Sequence, residues 1–220
     1  LSRSCAGQPI TSLGGHCHFW GGEAESIEEG IKVMNRQAMA AVDLIKIMVT
    51  GGSMTPKSKP INSQFDLDFL TKVVGEAKKL NYPVAAHCHG SDGIFKAAKA
   101  GVSTIEHCSW VGESGWGRSF DMKTATLIAK KEIWVSPTVN SGWKRYLESN
   151  YLEILRNNFK KMREVGVRFI ASTDAGIPNI FHTDLPLAMP VFSEIAGLTN
   201  TETLRAATSD AARAIGLSGV

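Results

Sequence analysis

The chain has 220 residues, of which 43% are apolar and 20% charged, with a formal net charge of +3. This is the composition of an ordinary globular protein, long enough for one large or two small domains, and it excludes a disordered or fibrous chain. The charge is too small and too dispersed for a nucleic-acid partner, its basic clusters being as short as Lys57-Ser58-Lys59 and Lys160-Lys161-Met162-Arg163, and no apolar run approaches the ~20 residues of a membrane helix.

Ile10 to Leu13 reads as a short strand, followed by the loop Gly14-Gly15-His16-Cys17-His18-Phe19-Trp20-Gly21-Gly22. Ser26 caps a helix running to about Ala41, with Glu28 and Glu29 in its first turn. Asp43 to Thr50 is a strand, and Gly51 to Asn62 is a loop rich in Gly, Pro, Ser and Lys. Asp66 starts a helix whose apolar residues Leu67, Leu70, Val73, Val74 and Ala77 recur at helical spacing. Pro83 to His87 is a strand, Asp92 to Ala100 a helix and Val102 to His107 a strand. A glycine-rich loop, Ser109 to Ser119, carries Trp110 and Trp116, which either form a lid or pack within the loop. Met122 to Lys131 is a helix, and Ile133 to Val135 a strand that stops before Pro137. Tyr151 to Val165 is a helix, Val167 to Ser172 a strand, and Leu185 to Ala196 a helix that Pro190 should disturb. Thr201 to Ile215 is one last helix, ended at Gly216. Six strands alternating with helices predict an α/β fold with a parallel sheet, in one domain over residues 1–220.

Four of these segments bring an apolar or β-type run to a residue that carries chemistry: Asp43-Leu44-Ile45-Lys46, Val84-Ala85-Ala86-His87, Thr104-Ile105-Glu106-His107 and Ala171-Ser172-Thr173-Asp174. Parallel strands of a βα barrel all end on one face, so residues far apart in sequence meet there. His87 and His107 are neutral nitrogen ligands for zinc or a similar ion, and Asp174 is an oxygen ligand or a proton acceptor. Lys46 is the odd member: its amine binds a metal only after losing a proton, or after reacting with carbon dioxide to give an anionic carbamate. A lysine inside an otherwise apolar strand is costly unless it has a task.

Three of the four cysteines follow a histidine, in His16-Cys17, His87-Cys88 and His107-Cys108. Adjacent strand residues point to opposite sides, so Cys88 and Cys108 are expected to face away from any site, and all four cysteines to be buried structural thiols. Four cysteines are too few for a disulfide scaffold of this size.

The segments Ile45-Lys46-Ile47-Met48-Val49-Thr50-Gly51-Gly52, Val84-Ala85-Ala86-His87-Cys88-His89-Gly90 and Gly101-Val102-Ser103-Thr104-Ile105-Glu106-His107 resemble the amidohydrolase superfamily of metal-dependent hydrolases. So do Ser172-Thr173-Asp174-Ala175-Gly176 and the run from Ala206 to Leu217, and the nearest likeness is to the prolidase-like and imidazolonepropionase-like branch. The resemblance implies a (β/α)₈ TIM-type barrel with one or two divalent ions, zinc foremost. It implies that Lys46 is a carbamylated bridging ligand, that His87 and His107 bind the more exposed metal, and that Asp174 binds the more buried one and shuttles a proton. A metal-bound hydroxide would then attack the carbonyl of a small amide or dipeptide. A dipeptidase is the leading expectation; a cyclic-amide hydrolase, a deaminase or an inactive remnant are the alternatives. His16, at the pocket mouth, His89, two residues beyond His87, and His182, in Phe181-His182-Thr183-Asp184, are expected to touch substrate.

The family's first strand carries a His-x-His pair well before the lysine. His16-Cys17-His18 has those letters but follows Leu13-Gly14-Gly15, the context of a later loop. With Leu1 in place of an initiator, the chain reads as roughly the last six strands of a barrel that typically takes ~250 residues. Open edges on such a piece predict a homo-oligomer. With no signal peptide legible, the cytoplasm is the default expectation. Gly51-Gly52-Ser53 offers one competing reading, a phosphate cradle.

Overall fold

In the computed structural model, which describes residues 5–217, five parallel strands hydrogen-bond in the order in which they occur along the chain. They are β1 (Ile45–Met48), β2 (Val84–Gly90), β3 (Thr104–Val111), β4 (Trp134–Ser136) and β5 (Arg168–Phe169). Helices alternate with them: α1 (Ile27–Met39), α2 (Leu67–Lys79), α3 (Ser91–Ala100), α4 (Met122–Lys130), α5 (Tyr151–Glu164), α6 (Leu185–Ala196), α7 (Asn200–Ala207) and α8 (Ser209–Ala214). Neighbouring strands joined through helices, all parallel and in sequence order, form an arc of a βα barrel.

The helices start and stop for local reasons. The Ser26 hydroxyl accepts from the Glu29 N–H while the Glu29 carboxylate accepts from the Ser26 N–H, a capping box at the start of α1. The Asp66 carboxylate accepts from Phe69 N at 2.8 Å and opens α2. Ala41, Asn81 and Glu132 directly follow the C-cap residues of α1, α2 and α4 in the left-handed conformation, which turns each chain back toward the next strand.

One face of the sheet packs under the helices. Ile45, Ile47, Val84, Ala86, Ile105 and Val135 meet Leu70, Val73, Ile94, Ala97 and Ile128 there, all buried in one core. Each Val, Leu or Ile among them contributes about 1.5–3 kcal/mol by leaving water. The register places two rows across the other face: Lys46, Ala85, Thr104, Trp134 and Arg168, and beyond them Met48, His87, Glu106 and Ser136. One sheet therefore presents an apolar side to the helices and a polar side to the functional face.

The structure differs from the sequence expectation in five places. Ile10 is a single parallel bridge to Ile47 rather than a sixth strand, with Ile10 N donating to Lys46 O and Met48 N to Ile10 O, each at 2.8 Å. Thr11 turns away to pair with Gly22 and Ala24, which ends the ladder. β5 is short because Ala171 N leaves the sheet to reach Ala206 O. β3 continues past His107, so Trp110 is buried and belongs to the core instead of a lid. α6 runs unbroken through Pro190, held by the burial of Ala188, Val191, Phe192 and Ile195. The final helix breaks at Thr208 (φ −129°, ψ −95°) into α7 and α8.

Among the described residues no helix is long and apolar enough to cross a membrane.

Candidate metal centre

Lys46 from β1, His87 and His89 from β2, His107 from β3, His16 from the loop after Ile10 and Asp174 from the loop after β5 line one cavity of about 1010 Å³. His182 is exposed and lies outside that lining. His18 is also outside it, its Nδ1 donating to the Gly15 carbonyl at 3.0 Å, so His16 and His18 do not converge as a ligand pair.

The imidazoles pack as a group. The His87 ring lies 4.6 Å from those of His16 and His107 and 4.7 Å from that of His89, measured between ring centres. His89 stacks on His107 at 4.4 Å and meets Trp116 edge-on at 5.0 Å. Strand register alone does not bring His107 here. Its cross-strand partner is Cys88, while Glu106 sits opposite His87. His107 and Cys108 instead adopt left-handed backbone (φ 66° and 50°), which swings both into the cavity wall. The expected in–out alternation therefore holds for Cys88, which is buried in the helix-side core, and fails for Cys108. Cys5 is exposed, against the expectation of four buried thiols.

His87 Nε2 can only donate to the Gly51 carbonyl, at 3.1 Å. In a neutral ring its Nδ1 is then an acceptor, and His107 Nε2–H donates to it at 2.9 Å. His107 Nδ1 in turn accepts from the Thr138 hydroxyl at 2.8 Å. The His89 Nδ1 shares a 2.9 Å hydrogen bond with Ser109 Oγ. The His16 Nδ1 shares one of 3.0 Å with Thr55 Oγ1, which also accepts from Cys17 N.

All four rings are held neutral. Burial, the largest cause, lowers the pKa of His87 and of His107 well below the ordinary imidazole value, and neighbouring imidazoles and Lys46 push the same way. His89 is pushed down to about 3 by burial, then by His16 and Lys46. Burial and then Lys46 lower His16. Asp174 is raised by burial, opposed by the Lys46 ammonium and reinforced by Glu106. Among the described residues no carboxylate lies within 4.0 Å of the Lys46 amine.

This donor set suits a divalent ion. One nitrogen of each of His87, His89 and His107 lies within 4.8 Å of the other two. One ring nitrogen of each also has its own partner, Gly51 O for His87, Ser109 Oγ for His89 and Thr138 Oγ1 for His107, the kind of outer support that orients metal-binding imidazoles. Two imidazole nitrogens on a tetrahedral zinc-class ion stand about 3.3 Å apart. The 2.9 Å between His87 Nδ1 and His107 Nε2 needs to open by only a few tenths of an ångström. Ser109, Thr138 and Gly51 are the functional neighbours that strand periodicity does not reveal, because they become neighbours only through loop and left-handed geometry. The glycine loop is no phosphate cradle: Gly51 N donates to Asn62 O and Gly52 N to Ser58 Oγ, both at 3.0 Å.

A family model described as "Amidohydrolase family" matches residues 5–220. The ochratoxinase of Aspergillus niger is 28% identical over 212 residues, covering 90% of this chain and 42% of that protein. Its crystal structure superposes with a TM-score of 0.71 at 27% identity, over 88% of this chain and 44% of that one. A Xaa-Pro dipeptidase with bound methionine in its active site gives a TM-score of 0.75 at 25% identity, over 97% of this chain and 57% of the other. The chain thus spans about half the length of the relatives it matches.

Proposed function

Because this chain belongs to the amidohydrolase family, we propose that it hydrolyses an amide-type carbon–nitrogen bond in a small substrate, with a divalent ion held by His87 and His107. The observation that carries this reading is the imidazole set in which every outward nitrogen already has its own partner. Zinc fits a donor set of imidazole nitrogens with carbamate oxygen, with one or two ions per chain. When bound, such an ion polarises a carbonyl and makes water more acidic.

The residues of the chain do the rest. His87 and His107 hold the ion, and Gly51 and Thr138 hold them. Lys46 is the carbamate-bearing ligand: it is a lysine on the functional face with no carboxylate within 4.0 Å among the described residues, and carbamylation converts its cation into the anion such a site requires. Asp174 accepts a proton and returns it to the leaving amine nitrogen. Its burial favours the protonated state and suits that shuttle. His89 and His16 border the substrate, and Trp116 packs over His89. The relatives' names, ochratoxinase and Xaa-Pro dipeptidase, support a small-amide or dipeptide substrate.

The test is metal analysis of the purified chain together with hydrolysis of a dipeptide and N-acyl amino acid panel. The expected result is one or two zinc-class ions per chain, and turnover that a chelator abolishes and zinc restores. Turnover that survives complete chelation would refute the reading.

A further inference from the structure

Between the end of β3 and the start of α4 the chain folds back on itself. Gly117 N donates to Ser109 O at 3.0 Å and Ser119 N to Trp110 O at 3.1 Å, while Gly112 and Gly115 exchange hydrogen bonds of 3.3 and 2.9 Å. Residues 109–119 thus form a flap on the C-terminal rim of the sheet, where the loops of a βα barrel meet substrate. Trp116 rides on this flap, lines the cavity and meets the His89 ring edge-on at 5.0 Å. With 43% of its surface exposed, Trp116 is not anchored by its own burial.

The anchor comes from α5. Leu155, Phe159 and Met162 make its buried face apolar, and Asn158, only 5% exposed, stands among them. A buried amide is costly unless it is hydrogen-bonded. Asn158 Nδ2 donates to the Gly117 carbonyl at 2.7 Å. The flap lies so close to the helix here that a Cβ on Gly117 would stand 2.8 Å from Ile154 Cγ2 and 3.4 Å from Asn158 Nδ2, and the φ of 72° at Gly117 favours glycine as well. Both polar groups of Gly117 are therefore committed, its N–H to Ser109 and its carbonyl to Asn158. Ser109 Oγ in turn shares a hydrogen bond with His89 Nδ1. One continuous set of contacts runs from α5 through Gly117 and Ser109 to His89, with Trp116 against the same ring.

From these contacts we infer that Asn158 is a positioning residue for the reaction: it holds the flap down and, through Trp116, fixes the wall that the substrate meets beside His89. The kinetic consequence rests on the amide-hydrolase reading, whereas the holding of the flap does not depend on it.

The test replaces Asn158 by leucine, which has the same branched shape and cannot donate. In the metal-free full chain, hydrogen exchange at Gly117 N–H should quicken about tenfold, the worth of one buried hydrogen bond, while exchange in the β2–β3 ladder stays as it was. The indole signal of Trp116, identified by its loss in Trp116→Ala, should move, and so should the ring signals of His89. In the zinc-loaded chain, KM for the best substrate of the dipeptide and N-acyl amino acid panel should rise about tenfold with kcat little changed, because the lost contact binds substrate and transition state alike. Trp116→Ala, a change at an exposed position, should raise KM to the same extent, and adding Asn158→Leu to it should raise KM no further. Unchanged exchange at Gly117 in Asn158→Leu, or KM effects of the two substitutions that multiply, overturns the assignment. Should Asn158→Leu not fold, an unchanged KM in Trp116→Ala overturns it instead. A loosened flap on a protein that hydrolyses no member of the panel would uphold Asn158 as the anchor and sink the reaction.

Discussion

His107 Nε2 and His87 Nδ1 face each other at 2.9 Å, and they are the two nitrogens that Thr138 and Gly51 leave free. The proton between them sits on His107, because Gly51 O forces the His87 proton onto Nε2. A metal entering here must move the His107 proton from Nε2 to Nδ1, and the Thr138 hydroxyl must turn from donor to acceptor. Nitrogen NMR of the imidazoles should show that tautomer exchange on adding zinc. Thr138→Val, which removes the outer partner, should weaken zinc binding about 10–100-fold in a chelator competition. Unchanged affinity would mean that Thr138 does not support the site.

Lys46→Ala should lose most of the metal and the turnover, and short carboxylic acids added to that variant should recover a part by standing in for the carbamate. Asp174→Asn should keep the ion at His87 and His107 and lose turnover. Metal content and rate, measured on the same preparations, decide both. An Asp174→Asn protein as fast as the unaltered one would remove Asp174 from the proton path.

Gly52 carries a packing prediction. A methyl group there would stand 2.4 Å from Cε1 and Nε2 of His16, a ring pinned by Thr55. Gly52→Ala should therefore destabilise the protein by about 1–3 kcal/mol, as overpacked sites do. His16→Ala in the same chain should return most of that loss, because the clash partner is gone. Denaturant unfolding of the two single variants and the double variant completes the cycle. Additive effects would show that the two residues do not meet.

The neutral imidazoles predict an acid-sensitive fold. Unfolded histidines bind protons below about pH 6.5. His16, His87, His89 and His107 resist doing so in the folded chain, His89 down to about 3. Their folded pKa values are depressed, so the stability present above the unfolded value is lost as pH falls toward the folded ones. Asp174 is shifted upward and acts in the opposite direction, in the carboxylate range, so it does not offset four imidazoles. The metal-free protein should melt at least about 3 °C lower at pH 5 than at pH 7, and zinc affinity should fall over the same interval. A melting temperature that is flat across that interval would contradict the neutral assignment.

Much of the arc was legible because a run of apolar residues ending in a titratable one is a compact signal. Lys46 and His87 sit on strands for that reason, and His89 joins His87 by the two-residue period. The remainder depends on backbone torsions that residue types do not announce. Periodicity carries Glu106, not His107, to the face of His87, and only the left-handed turn at His107 reverses this. The continuation of β3 hid the burial of Trp110, since the glycines that follow it, Gly112, Gly115 and Gly117, suggested a loop. Pro190 looked disruptive because the loss of one hydrogen bond is local, whereas the burial that outweighs it is spread along α6.

The left-handed residues on the cavity wall have one more implication. Cys17, His107, Cys108, Trp110, Thr138 and Asp174 all carry positive φ there, a conformation that disfavours side chains beyond glycine by about 1–2 kcal/mol each. A library enriched for heat resistance alone should drift toward glycine or asparagine at His107 and Asp174, gaining robustness as it discards the chemistry. The same library screened for turnover should hold both residues fixed and place its stabilising changes elsewhere.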